Sequence, residues 1–297
     1  MNNQVQKSLC YKRLLLFLTV AFTFSWIFGF INLILVDETA NPSLASLLSY
    51  IGMFGPALGT LTARLVTKEG FATAYLKVNF KGNALLYGTS VVLPPILCML
   101  ACAFVSLVCT GSVRLVYSPV TTLLMLLSNV AFSIPTCSIC FGEEFGWRGY
   151  LYPRLRELMP PSCAIILCNC IWGVWHLPAL LSGLNFGKDI PFFPVSSLLL
   201  MCLYCIFMGT LLTYLTERTH SIYPASIFHS VNNTAGANML SLFTVAQNSQ
   251  SLPTLYFFLA NCIVIIPVCV VCILISRTHE SSRQRLKNCK NPSSTAI

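Results

Sequence analysis

Residues 14–36 read LLLFLTVAFTFSWIFGFINLILV, a run with no charged side chain. A helix that crosses the roughly 30 Å hydrocarbon core of a bilayer needs about 20 apolar residues, so this run predicts a transmembrane helix. Lys7, Lys12 and Arg13 precede it as they would a secretory signal. The run is too long for a signal core and offers no small-residue cleavage site, so it reads as a retained anchor.

Outward from this anchor, apolar stretches recur at 47–66, 84–109, 121–141, 163–183, 192–216, 222–243 and 254–276. Together with the first they predict an all-α, polytopic membrane bundle of about eight transmembrane helices. The fourth, fifth and seventh runs carry polar residues. Composition agrees: 56% of the 297 residues are hydrophobic and 9% are charged, against roughly 25% charged in an ordinary soluble domain. Such a chain is not disordered, collagenous or a disulfide miniprotein. Nor does it look like a nucleic-acid binder, although its formal net charge is +9.

Topology accounts for that charge. With a cytoplasmic N-terminus and eight spans, every one of the 18 Lys and Arg residues except Arg114 and Lys188 falls on the cytoplasmic side. This is the bias of the positive-inside rule, and it predicts both termini in the cytoplasm. The chain then divides into a cytoplasmic N-terminus (1–13), one multispan domain (14–276) and a basic cytoplasmic tail (277–297) suited to lie near anionic lipid. No linker, repeat or low-complexity segment interrupts the domain. Between the second and third runs, Phe71, Ala74, Tyr75, Leu76 and Val78 stand among three lysines, as in a short interfacial segment.

Most of the 15 cysteines lie inside apolar runs. Cys137 and Cys140 have the C-x-x-C spacing of a zinc or redox pair, but no matched second pair flanks them. A small hydrophobe is the reading that fits. Cys10 and Cys289 fall on the reducing, cytoplasmic side.

Polar chemistry enters the membrane elsewhere. Glu143 and Glu144 sit at the end of the fourth run, in Phe141-Gly-Glu-Glu-Phe-Gly-Trp-Arg-Gly-Tyr. Ionisable groups at membrane depth are costly and either pair or serve a function. If the helix continues, Glu144 and Arg148 stand at i and i+4 and can form a charge-assisted pair. Glu143, about 100° round the helix, is left as the freer base. A topogenic charge cluster would explain Arg154, Arg156 and Glu157, but not two glutamates on the basic side. Of four histidines, His220 and His279 lie in polar segments. His176 follows Trp172 by four residues in the fifth run, and His229 precedes Asn233 by four in the seventh. Singly, each histidine suits an interhelical hydrogen bond. Together with the carboxylates and Asn233 they match a water-activating site.

The stretches Glu143-Glu144-x-x-x-Arg148, Trp172-x-x-x-His176 and His229-x-x-x-Asn233, in that order, resemble the CPBP family of intramembrane proteases. That family includes the type II CAAX prenyl endopeptidases and bacterial bacteriocin-processing or immunity relatives. The resemblance covers about residues 141–233, within a family core at about 121–243, and the flanking motif residues are similar to the prokaryotic branch. Trp172 stands where a phenylalanine often opens the second motif. Spacing makes Asn233 the match, and Asn232 its off-face neighbour.

The resemblance implies a peptidase in the plasma membrane of a prokaryote, with a cavity reached from the cytoplasm. Glu143 and His176 would activate a water, His229 and Asn233 would hold the oxyanion, and Glu144 and Arg148 would support them. The chemistry is independently sound. A carboxylate taken part-way out of water becomes a stronger base, and an Asn amide always donates. The expected partners are the lipid bilayer and a membrane-associated protein or peptide substrate, lipid-modified or not. No cofactor is expected. The alternative within the enzyme reading is zinc on Glu143, His176 and His229 as a two-His, one-carboxylate set, although His-Glu-x-x-His is absent. Outside it stand a non-catalytic immunity or peptide-binding protein, and a proton-relay transporter, for which no inverted repeat is visible. No cysteine has a neighbouring base that would single it out as a nucleophile.

Overall fold

The computed structural model describes residues 3–36, 40–243 and 251–290, and no side chain from Ser276 onward. Residues 291–297 of the basic tail, and the side chains of 277–290, therefore lie outside the described residues. So do the acidic side chains at 37 and 38 in the first connection.

Among the described residues the chain is helical, with one isolated bridge between Leu115 and Phe243. Helix α1 (Asn3–Leu35) begins well before residue 14 and packs on α2 (Pro42–Gly52) and α3 (Gly55–Val66). The second run is thus two helices, broken at Met53–Phe54 between Gly52 and Pro56. Gly55 and Gly59 let α3 sit directly on α1: a Cβ at Gly55 would meet the Ser25 hydroxyl at 2.0 Å, and one at Gly59 the Phe17 carbonyl at 2.7 Å. This is the small-xxx-small device of close membrane helices.

After α4 (Ala84–Thr110) comes the longest departure from the expected spans. Helix α5 (Pro119–Gly146) does not stop near residue 141. It passes through a π turn (Trp147–Leu151) into α6 (Tyr152–Arg156), one helical run of 38 residues. Glu143 and Glu144 consequently lie inside this run and not at its end. The charge of Arg148 and the glycines on either side of Trp147-Arg148 masked this continuation, yet the segment is fully buried: Trp147, Arg148, Tyr150 and Leu151 are each 0% exposed.

The fifth run forms α7 (Pro161–Trp175) and a five-residue α8 (Leu177–Leu181), broken at His176. Pro178 lacks the amide that a continuing helix would direct at the Val174 carbonyl. Helices α9 (Val195–Thr219), α10 (Tyr223–Met239) and α11 (Ser251–Lys290) complete the bundle. Six helical segments are long and apolar enough to cross a membrane, which marks an integral membrane protein. The fifth and seventh runs fall short: α7, at about 22 Å, is shorter than the hydrocarbon core, and both α7 and α10 are held by longer neighbours. Helix α10 packs between α5 and α4, and α7 against α9.

The segment 67–83 is irregular rather than helical, and clasps the basic end of the bundle. Asn79 donates to the carbonyls of Thr219 and His220 at 3.1 and 3.0 Å, and the Ile222 amide donates to the Tyr75 carbonyl at 3.0 Å. Burial, and then the Glu217 carboxylate, push the Tyr75 phenol above the usual tyrosine range. Glu69 in this segment pairs with Arg13 at 3.4 Å and Arg154 at 2.8 Å. Arg64, 2% exposed, donates to the carbonyls of Gly70 and Gly149. Phe71, Leu76, Val78 and Phe80 remain exposed on its outer surface.

Candidate active site

The continued helix does what the i, i+4 spacing predicts. Arg148 donates to Glu144 Oε1 at 3.0 Å, both side chains being wholly buried. Two further groups complete the pair. Asn169 on α7 accepts from the other Arg148 nitrogen at 2.9 Å. His229 on α10 places Nδ1 2.9 Å from the same Glu144 oxygen. A carboxylate shared with an arginine accepts, so the His229 proton sits on Nδ1 and Nε2 is the nitrogen left over.

Glu143 points elsewhere. Its Oε2 accepts the Trp172 indole N–H at 3.0 Å. The same indole lies under the Arg148 guanidinium, 4.3 Å from ring centre to cation, and meets the His229 ring edge-on at 5.2 Å. Trp172 thus touches both halves of the glutamate pair. A phenylalanine could supply the face but not the N–H.

His176 sits at the break between α7 and α8, its Nδ1 2.8 Å from the Trp172 carbonyl. A carbonyl only accepts, so here too Nδ1 carries the proton and Nε2 is free to face outward. Asn233 donates to Cys140 Sγ at 3.9 Å, a weak tether. Asn232 is held firmly, donating to the Tyr204 hydroxyl at 2.7 Å.

Glu143, Trp172, His176, His229 and Asn233 all line one cavity of about 920 Å³; Glu144, Arg148 and Asn169 do not. The six residues singled out in the sequence are therefore brought together, in two layers: four on the cavity and two behind it. Asn232, expected to face away, also lines the cavity. His220 stacks on Tyr75 at the basic end, away from the site, and the His279 side chain lies outside the described residues.

Two residues of the inner layer escaped the sequence reading. Asn169 is one helical turn before Trp172 and two before His176, and its signal was an amide inside an apolar run. Gly209 on α9 has no sequence signal. A Cβ there would come within 1.9 Å of Asn169 Oδ1 and 2.5 Å of an Arg148 nitrogen. The absence of a side chain is what admits the Arg148–Asn169 contact.

The side chains lining the cavity do not form a ready metal site. Anchored Nδ1 atoms on two histidines are what ligating imidazoles require. Among the described residues, however, no three His, Cys, Asp or Glu side chains stand at metal-holding spacing, the set Glu143, His176 and His229 included.

Comparison with known proteins converges on the same segment. Residues 119–235 match the family model described as type II CAAX prenyl endopeptidase Rce1-like. CAAX prenyl protease 2 of Methanococcus maripaludis is 28% identical over 125 residues, 42% of this chain. The alignment covers 45% of that relative, somewhat under half its length. The matched stretch runs from the start of α5 through most of α10 and takes in all three motifs, so it is this part of the chain that is similar to the Rce1-like endopeptidases.

Proposed function

We propose that the protein is an intramembrane endopeptidase that hydrolyses a peptide bond in a membrane-associated protein or peptide, its basic end and both termini on the cytoplasmic side of a prokaryotic cell membrane. The observation that carries this reading is the sorting of side chains: Glu143, His176, His229 and Asn233 face one cavity, while the charges that would disturb them are paired behind it.

In this reading a water sits between Glu143 and His176 Nε2, both acceptors. Glu143, its other oxygen held by Trp172, takes a proton as the water attacks the substrate carbonyl. The carbonyl oxygen becomes an oxyanion and is met by the Asn233 amide and by His229. An imidazolium at His229 donates Nδ1–H to Glu144 and Nε2–H to the oxyanion, so Glu144 and Arg148 hold a donor in place rather than react. Collapse of the tetrahedral species returns the Glu143 proton to the leaving amine, which balances the cycle.

The name of the Methanococcus relative points to a prenylated substrate, and we extend that class to this chain. The test compares the membrane peptidome of cells lacking the protein with cells carrying either the unmodified chain or Glu143→Gln. Fragments that appear only with the unmodified chain support hydrolysis. An unchanged peptidome in all three would favour the peptide-binding, immunity-type reading. Zinc measured in stoichiometric amount in pure active protein, and lost together with activity, would overturn the metal-free chemistry.

A further inference from the structure

Arg148 stands between two arms of the site. Its Nη1 donates to Glu144 at 3.0 Å, and Glu144 in turn meets His229 Nδ1 at 2.9 Å. The same guanidinium lies over the Trp172 ring at 4.3 Å, and the Trp172 indole donates to Glu143 at 3.0 Å. Two cavity-facing groups, His229 and Glu143, are therefore reached through one cation. A guanidinium is a rigid planar fork, so whatever holds its second nitrogen sets the plane for both arms.

Asn169 holds it. Its Oδ1 accepts from Arg148 Nη2 at 2.9 Å. The residue is fully buried and does not line the cavity, so it acts on the site only through Arg148. Spacing puts it there, because Asn169, Trp172 and His176 stand at i, i+3 and i+7 on one face of the chain. A guanidinium has donors only, so the oxygen end of the amide must face it. The other end, Nδ2, is buried without a hydrogen-bond partner. An amide that served only to join two helices would gain from pairing both ends, and this one pairs the end that meets Arg148. Gly209 on α9 makes the seat. A Cβ there would lie 1.9 Å from Asn169 Oδ1, 2.2 Å from its Cγ and 2.5 Å from Arg148 Nη2. Neutrality matters as much as reach. Glu143 and Glu144 already bring two carboxylates to this layer, and a third would compete with Glu144 for Arg148. A neutral oxygen satisfies the second nitrogen and leaves the charge of the cation to Glu144.

We propose that Asn169 is a positioning residue: seated against Gly209, its neutral oxygen fixes the Arg148 guanidinium so that Glu144 is held against His229 and the Trp172 N–H is kept aimed at Glu143. The consequence for catalysis rests on the hydrolase reading; the positioning itself does not.

Asn169→Asp tests the neutrality, since it keeps shape and acceptor and changes only charge, and Asn169→Leu tests the acceptor. With an internally quenched peptide that carries a prenylated cysteine near its C-terminus, kcat should fall about ten- to a hundredfold in each, with KM little changed. Full kcat in either variant, or a defect in KM alone, overturns the proposal. Gly209→Ala should lower kcat as Asn169→Ala does, and the two together should cost no more than either alone, because both displace one amide. Additive losses would remove Gly209 from the seat. A reading without turnover comes from the imidazole nitrogen resonances of the detergent-solubilised protein, with His229 assigned among the four histidines by His229→Gln. In Asn169→Asp the His229 resonances should move while those of His220 stay. Unmoved His229 resonances overturn the positioning. Moved resonances, in a protein whose unmodified form cleaves no membrane peptide, keep the positioning and sink the hydrolase reading.

Discussion

The end of the bundle around Arg64, Arg148 and Arg154 is filled, and the end around Asn32, His176 and Asn233 is hollow. The boundary between them runs through two adjacent residues. Glu144 belongs to the filled end, where Arg148, Asn169 and His229 surround it. Glu143, one residue earlier, belongs to the hollow end, with one oxygen held by Trp172 and the cavity before it. Identical side chains thus acquire different work from the 100° that separates neighbours on a helix. The same split holds for the asparagines: Asn232 is tied to Tyr204, while Asn233 is loosely tethered and exposed to the cavity.

Four substitutions break or sharpen this contrast. Glu143→Gln should remove cleavage, a loss of about a hundred- to ten-thousandfold for a general base, with the thermal midpoint of the detergent-solubilised protein unmoved. Full activity in that variant would reassign the base. Arg148→Met, on the filled side, should do the reverse. It strands the buried Glu144 carboxylate and costs about 3–5 kcal/mol, seen as a large drop in midpoint before any assay of turnover. A well-folded but inactive Arg148→Met would move Arg148 from support to chemistry. Asn233→Ala should lower kcat by about a hundredfold with little change in KM, the signature of a lost oxyanion donor; a defect in KM alone would place Asn233 in binding. Trp172→Phe should be mildest. It keeps an aromatic face under Arg148 and loses one hydrogen bond to Glu143, so kcat should fall about three- to tenfold at an unchanged midpoint. A collapse in stability would show that the indole matters for packing and not for orienting Glu143.

Much of the arrangement was visible in one dimension. Long uncharged runs can only be satisfied in hydrocarbon. Pairs at i and i+4 share a helix face wherever the helix goes, which is why Glu144 and Arg148 could be matched before any packing was known. Other features had no such signature. The helix through Glu143 runs on to Arg156 because the stretch Trp147–Tyr152, with Arg148 at its centre, finds buried partners in α1, α3 and α7. Two of the eight apolar runs form shorter helices, α7 and α10, packed against longer neighbours. Asn169 and Gly209 are unremarkable residues until α7 and α9 bring them against Arg148.

Composition and local spacing therefore determined the solvent this chain lives in and its helical class, and named six polar residues that the fold brings together, because each of those follows from neighbours along the chain. Which glutamate meets open space and which end of the bundle is filled depended on helices distant in sequence meeting in the membrane, since a cavity is a property of the gaps between side chains and not of any one of them.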